Sequence, residues 1–559
     1  MKNTKPKKKK FIKFVIISVI LCGIGLMLGA GVAAYVLRDR INLKRPKEEY
    51  IRYARNMVSQ IKWKAIDKLS FRKGRDDKED EKFTGILSLA VHPKRKIREI
   101  NPMIYGANLD TKTEFEMDVA KFAEDTGITS FRFPGGGSSG YRWKLGTFDF
   151  SDRFDNAPLS EIKNVIKFSK IVGVNIIIMV NIESGTPQEA ADWVRFMNQS
   201  SEGMRVDYWE LGNEVYGDWD TAYMPGQEYA KIIKAYSQAM KQADPTIKIG
   251  ANWGGPRYSV FDEAIMKEAA DYFDFLSFHW YPNHVDQYHK YKGRFHPLPK
   301  EIMANSMAVG EIVDRVTRMI DEYAPHRKGK IKIAFLEWDG SWDAVPSDLE
   351  FEYKGMMWSL ANGIFYADTL GHYARHGILM AHQFCFQEVM FGLIRGWDKE
   401  AGWGGSRWDG KTIRPKALAL KLFARHFGDI LIESKMKGSP NYDKKRDWRA
   451  DSYTGEVPYV EAYASTFSQE RKIAIVLTNK HASQNFKVNI SLEGVNPQDT
   501  GYVWILNGPD LEAQNDGSPG TVDIKKYDLS GVKKKFTYDI PAHSVNLLEI
   551  RFTEPSQSN

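Results

Sequence analysis

From about residue 98 the chain alternates between short apolar runs and longer amphipathic ones. The short runs are PMIYGANL (102–109), ITSFRFP (128–134), VNIIIMVN (174–181), VDYWELG (206–212), TIKIGAN (246–252), FDFLSFHW (273–280), KIKIAFLEW (330–338) and GILMAHQF (377–384). Most are apolar on both faces and rich in β-branched or aromatic residues, as strands buried in a parallel sheet are. Between them, apolar positions recur at helical spacing. In 186–199, Thr186 is a cap, Pro187 opens the first turn, and Ala190, Trp193, Val194 and Met197 share one face. Segments 259–273 and 414–428 read the same way. Eight strands alternating with about eight helices predict an α/β fold, a (β/α)8 TIM barrel over 98–430. The other reading, a doubly wound open sheet, lacks a glycine-rich dinucleotide fingerprint after its first strand.

Beyond the barrel the texture changes. Over 431–559, short alternating runs are separated by turn residues, which predicts a C-terminal antiparallel β-sandwich. The segment 84–97, with GILSLAVHP at 85–93, is expected to add a strand to it.

Ahead of the barrel lies an uncharged run from Phe14 to Leu37, 24 residues long and preceded by seven lysines. That length spans a bilayer as an N-terminal transmembrane helix, and the lysines favour an inside N-terminus. The expected order is a basic cytoplasmic tail (1–13), an anchor (14–37), then a helical stalk and charged linker (38–83). The catalytic body then stands outside a cell membrane. Cleavage near Ala34, giving a secreted protein, is the alternative.

Composition refines this picture in two places. The net charge of +8 is concentrated at the start: residues 1–82 carry 22 Lys and Arg against 9 Asp and Glu. The remainder is slightly acidic, which argues against a nucleic-acid-binding body. The two cysteines, Cys22 and Cys385, give neither a disulfide framework nor a zinc pattern.

Candidate chemistry sits where apolar strands end in costly polar groups. VDYWELGNEVYGDW (206–219) closes the fourth strand run with Asn213 and Glu214, and AFLEWDGSW closes the seventh with Glu337. Barrel chemistry occurs at the C-terminal strand ends, and strands four and seven face each other across the mouth. Two carboxyl groups about 5 Å apart suit retaining glycoside hydrolysis, one as acid/base and one as nucleophile. Taken singly, each glutamate also fits a helix cap or an ion pair. Glu210, which turns inward on the fourth strand, reads as a buried ion-pair residue. Arg132 could keep Glu337 ionised, and His279 and Tyr281 could bond a carboxylate or a sugar hydroxyl. Trp338 and Trp342 read as stacking platforms or as core and loop anchors. The catalytic division of labour predicts a Glu214 carboxyl raised relative to Glu337. RFPGGGSSGYRW (132–143) lacks the lysine and context of a phosphate loop.

INPMIYGANLD, FRFPGGGSSGYRW, VNIESGTPQEAADWVRFMN, YWELGNEVYGDW, SFHWY and FLEWDGSW occur in this order. Together they resemble family 51 glycoside hydrolases, which are mostly α-L-arabinofuranosidases. The resemblance covers about 85–430 and extends through the sandwich. It implies Glu214 as acid/base, Glu337 as nucleophile, Asn213 on the sugar 2-hydroxyl, and Arg132 and Tyr281 orienting the nucleophile. Asp110 stands where the family has a sugar-binding glutamate. Gly137 replaces a sugar-binding asparagine, and Asp339 replaces an asparagine after the nucleophile's tryptophan. It implies no metal and no cofactor, a carbohydrate substrate, and possible oligomers. An endo- or exo-β-glycosidase of glucanase or xylanase type is the alternative activity. A non-catalytic carbohydrate-binding surface protein is the alternative of another class.

Overall fold

The structure is a computed structural model that describes residues 82–109, 115–136, 140–148, 161–284, 298–342, 356–396, 408–445 and 451–554. The expected anchor, stalk and linker lie outside these residues, apart from Lys82 and Phe83 at the linker's end, as do Asp110 and Gly137.

Strand β1 (Leu87–Glu99) precedes the barrel. The barrel strands follow as β2 (Gly106–Asn108), β3 (Ser130–Phe133), β4 (Asn175–Val180), β5 (Tyr208–Leu211), β6 (Lys248–Trp253), β7 (Phe275–Trp280), β8 (Lys332–Trp338) and β9 (Met380–Gln383). They close in that order, all parallel, with β9 pairing back to β2. Each is followed by a helix: α1 (Met117–Thr126), α2 (Ile162–Val172), α3 (Pro187–Gln199), α4 (Gly226–Ala243), α5 (Ser259–Ala269), α6 (Ala308–Tyr323), α7 (Leu360–His376) and α8 (Pro415–His426). The Thr186 side chain accepts from Glu189 N, and Pro187 occupies the first turn. Ala190, Trp193, Val194 and Met197 are buried as the helical spacing requires.

The first strand is shorter than its apolar run suggested. Pro102 cannot donate to a ladder, and Asn101 caps a single 3-10 turn over Pro102–Ile104 instead. Gly106 then lets the strand approach its neighbour: a Cβ there would lie 2.5 Å from the His382 ring.

The tail strands are β10 (Ile430–Lys437), β11 (Val460–Thr466), β12 (Lys472–Asn479), β13 (Phe486–Leu492), β14 (Asn496–Asn507), β15 (Asp523–Ser530), β16 (Lys535–Ile540) and β17 (Ser544–Thr553). With β1 they form one nine-stranded sheet, ordered β15-β14-β17-β12-β11-β10-β1-β13-β16. The expected purely antiparallel arrangement is corrected at one place. Strand β1 pairs antiparallel with β10 but parallel with β13. It enters from the N-terminal side of the barrel and fills the gap between two strands that follow it. Its Leu87, Leu89 and Val91 join Ile432, Ile475, Val488, Ile490 and Leu548 in an apolar core separate from the barrel's main one.

Candidate active site

Strand alternation sends every second side chain into the barrel. On β7 and just beyond it, Ser277, His279 and Tyr281 therefore share one side, and Glu337 on β8 pairs in register with His279. Arg132 on β3 reaches the centre of this layer and is fully buried. Its Nε donates to Glu210 Oε2 at 2.6 Å, Nη1 to Glu337 Oε1 at 2.8 Å and to Asn108 Oδ1 at 2.9 Å, and Nη2 to Asn213 Oδ1 at 2.9 Å. One planar guanidinium thus fixes four groups from three other strands. Such a buried cation persists because its charge is paired and its donors are used.

Glu210 is the buried ion-pair residue its position suggested. It also accepts from Asn252 Nδ2 at 3.1 Å and from the Ser277 hydroxyl. Burial alone raises its pKa, but Arg132, His279 and Ser277 outweigh that and hold it at about 2.

Glu337 has both oxygens engaged. Oε1 accepts from Arg132 and from the Gly136 backbone N–H at 3.2 Å. Oε2 accepts from the Tyr281 hydroxyl at 3.0 Å. Glu214 faces it from the loop after β5, in a left-handed backbone with φ 45°. A non-glycine residue there is strained, and such residues cluster at functional sites. Glu214 Oε1 lies 2.9 Å from His279 Nδ1, and Oε2 accepts from Trp219 Nε1 at 2.5 Å. Ligand atoms of Glu214, His279 and Glu337 all lie within 4.8 Å of one another.

The sequence predicted a Glu214 carboxyl raised relative to Glu337; against its own ordinary value Glu214 is lowered. Burial pushes it up, but hydrogen bonds from His279 and Trp219 and the His279 charge bring it below the ordinary value. The proton resides on His279 instead. Burial disfavours that cation, yet Glu337, Glu210 and Glu214 raise its pKa from 6.5 to about 9.

A pKa raised on folding adds stability that is complete below about pH 6.5 and is lost as pH rises through about 9. The melting temperature is expected to fall between pH 7 and 10 more steeply than in a His279→Asn variant. Parallel pH dependences in calorimetry would remove this role for the imidazolium.

Trp338 is corrected from platform to core. It is buried, and its ring stacks on Tyr366 at 4.3 Å and packs edge-on to Tyr373 at 5.2 Å. The alternation that turns Glu337 into the barrel turns Trp338 out against α7. Trp342 is half-buried at the mouth, 5.1 Å from the Tyr281 ring and 4.9 Å from Phe391. Asn213 is buried and held by Arg132.

Several functional residues escaped the sequence reading. Asn108 orients Arg132 while its Nδ2 bonds the Leu336 and His382 carbonyls. Ser277 and Asn252 are small polar residues inside apolar strands, which was the available signal. Trp219 lay inside the 206–219 stretch itself. Asp339 is explained by its partners: it accepts from Asn362 at 3.0 Å and from the Lys416 ammonium on α8. A carboxylate where the family has an amide is thus balanced by a buried lysine.

A second acidic cluster, Asp368, His372 and Glu461, joins α7 to the sheet. Its cation is supplied by the protein. Lys480 Nζ lies 2.7 Å from Asp368 Oδ2 and 2.9 Å from Glu461 Oε2.

The family of C-terminal domains described as the α-L-arabinofuranosidase C-terminal domain matches residues 410–544. An intracellular exo-α-(1→5)-L-arabinofuranosidase of Halalkalibacterium halodurans is 22% identical, covering 83% of this chain and 98% of the relative. A Bacillus subtilis intracellular exo-α-(1→5)-L-arabinofuranosidase 1 is also 22% identical, over 76% of this chain and 91% of the relative. The structure of the thermostable family 51 α-L-arabinofuranosidase of Thermotoga petrophila superposes with a TM-score of 0.70 at 24% identity. It covers 83% of this chain and 99% of that one.

Barrel, sheet domain and relatives together define the class, a glycoside hydrolase. Within it, the chain is similar to the α-L-arabinofuranosidases of family 51.

The expected location is corrected by the same relatives. Both are named intracellular enzymes, which does not support a membrane-anchored or secreted body. Among the described residues no helix is long and apolar enough to cross a membrane, and the run from Phe14 to Leu37 lies outside them.

Proposed function

We propose that the chain releases α-L-arabinofuranosyl residues from oligosaccharide or polysaccharide by double displacement, with Glu337 as nucleophile and Glu214 as acid/base. The observation that carries this is the close approach of the two carboxylates, within 4.8 Å at their nearest ligand atoms. Retaining enzymes hold the pair about 5–5.5 Å apart, whereas inverting ones leave room for a water.

In the first step Glu337 attacks the anomeric carbon, and the bond to the leaving oxygen breaks as that oxygen takes a proton from Glu214. Arg132, Tyr281 and the Gly136 N–H hold and aim Glu337. The proton comes from the His279–Glu214 pair: transfer from Nδ1 to Oε1 across 2.9 Å supplies Glu214 when the leaving oxygen arrives. As Glu337 loses its charge in forming the ester, Glu214 gains one, so the charge around Arg132 and His279 is conserved. In the second step Glu214 takes a proton from water, whose oxygen attacks the anomeric carbon and frees Glu337. The sugar leaves with its configuration retained. Asn213 and Asp110 would contact the sugar hydroxyls, and Trp342 would border the mouth beside Tyr281.

The test is a panel of aryl α-L-arabinofuranoside, β-D-xyloside, β-D-glucoside and β-cellobioside. Turnover of the arabinofuranoside alone is expected. Turnover confined to a β-glycoside would keep the mechanism and overturn the sugar.

A further inference from the structure

A trough of about 540 Å³ lies on the outer face of the sheet domain, across β10, β1, β13 and β16. Its shape follows from register. One row across the four strands reads Lys437, Ser88, Asn489, Thr537, and the next reads Lys435, Ala90, Ser491, Lys535. Small side chains form the floor on the two middle strands, and long ones form the walls on the outer two. Three inter-strand spacings make the trough about 14 Å across, wide enough for a single sugar chain.

The lining carries an excess of positive charge. Lys435, Lys437 and Lys535 are exposed and make no ion pair among the described residues, and His92 lies at the same face. Of the acids nearby, Glu433 pairs with Arg95 at 3.1 Å, while Glu493 accepts from Ser491 at 2.5 Å and keeps its charge beside the lining. No carboxylate lines the cavity. This is a local reversal, because residues 83–559 together carry slightly more acid than base. The lining adds the Ser88 hydroxyl, the Asn489 amide N–H groups, and the remaining lone pairs of the Ser491 and Thr537 hydroxyls, whose protons go to Glu493 and Asn489. Phe536, the one aromatic in the lining, packs against the sheet's own core. It forms no stacking ladder of the kind single-stranded nucleic acid uses.

We propose that this trough is a non-catalytic binding site for a polysaccharide chain bearing carboxylates, such as a polyuronate. Lysines along both walls meet the carboxylates, and the floor bonds the sugar hydroxyls. The site would hold the enzyme on an acidic polymer while the barrel works on neutral side chains. The binding claim does not depend on the activity assigned to the barrel.

The experiment titrates the purified full-length chain with polygalacturonate, neutral arabinan and polyuridylate by calorimetry. Polygalacturonate is expected to bind, about tenfold or more weaker in a K435E/K437E/K535E variant, and to weaken with added salt. Ser88→Trp, which fills the floor without changing charge, is expected to weaken it as well. Melting temperatures of both variants report that the fold is intact. Unchanged affinity in either folded variant would overturn the trough as the site. Polyuridylate binding as tight as polygalacturonate would overturn its specificity for sugar.

Discussion

Glu337→Ala is expected to lower kcat on an aryl α-L-arabinofuranoside by about 10⁴-fold or more, close to 5 kcal/mol of lost transition-state stabilisation. The size follows from what the carboxylate does. As the proposed nucleophile it would form the covalent intermediate, and Arg132, Tyr281 and Gly136 N–H all donate to its two oxygens. Removing it leaves those donors facing an empty space of carboxylate size. Azide admitted there should restore turnover and yield the glycosyl azide of inverted configuration, because it attacks from the nucleophile's face. Glu337→Gln, nearly isosteric, separates loss of the nucleophile from loss of packing. Activity in Glu337→Ala within tenfold of the native chain would reject the assignment.

The barrel was legible because its strands are buried on both faces and its helices are amphipathic. The two periodicities stand apart even at short length. Edges were harder to read. Strand β15 is exposed along most of its length and pairs only with β14, so no burial imposed an apolar pattern on it. The parallel place of β1 was equally silent, since alternation reports which face is buried and not which neighbour is paired.

The site divides in the same way. Glu210, Glu214, Glu337 and Arg132 stood out as charges in or beside apolar strands, where burial demands partners. The partners themselves were less visible. Ser277 and Asn252 look like ordinary strand residues until Glu210 is placed between them. Trp338 was misread, although the period-2 rule contained the answer: a neighbour of an inward Glu337 must face outward, as Trp280 does beside His279. The sequence did not place His279 between three carboxylates, the arrangement that lowers the Glu214 carboxyl and raises the imidazole.

Glu214→Ala is expected to divide substrates by their leaving groups. For a leaving group that needs a proton, general acid catalysis contributes about 10²–10⁴-fold, and that factor should be lost from kcat/KM. A dinitrophenyl glycoside needs no proton, so its first step should survive. Hydrolysis of the intermediate then becomes rate-limiting, because no base activates water, and KM should fall together with kcat. Azide, which needs no base, should relieve this block and give the glycosyl azide of retained configuration, the opposite outcome to Glu337→Ala. The two stereochemical results together locate each carboxylate on its own face of the sugar. Trp219 supplies the control. Its indole N–H holds Glu214 Oε2 and lowers its pKa, and it is half exposed, so Trp219→Phe should raise that pKa and weaken proton delivery to the leaving oxygen without abolishing it. Equal losses on activated and unactivated leaving groups in Glu214→Ala would mean that Glu214 is not the acid. His279, which carries the proton in the free site, would then be the group to test next.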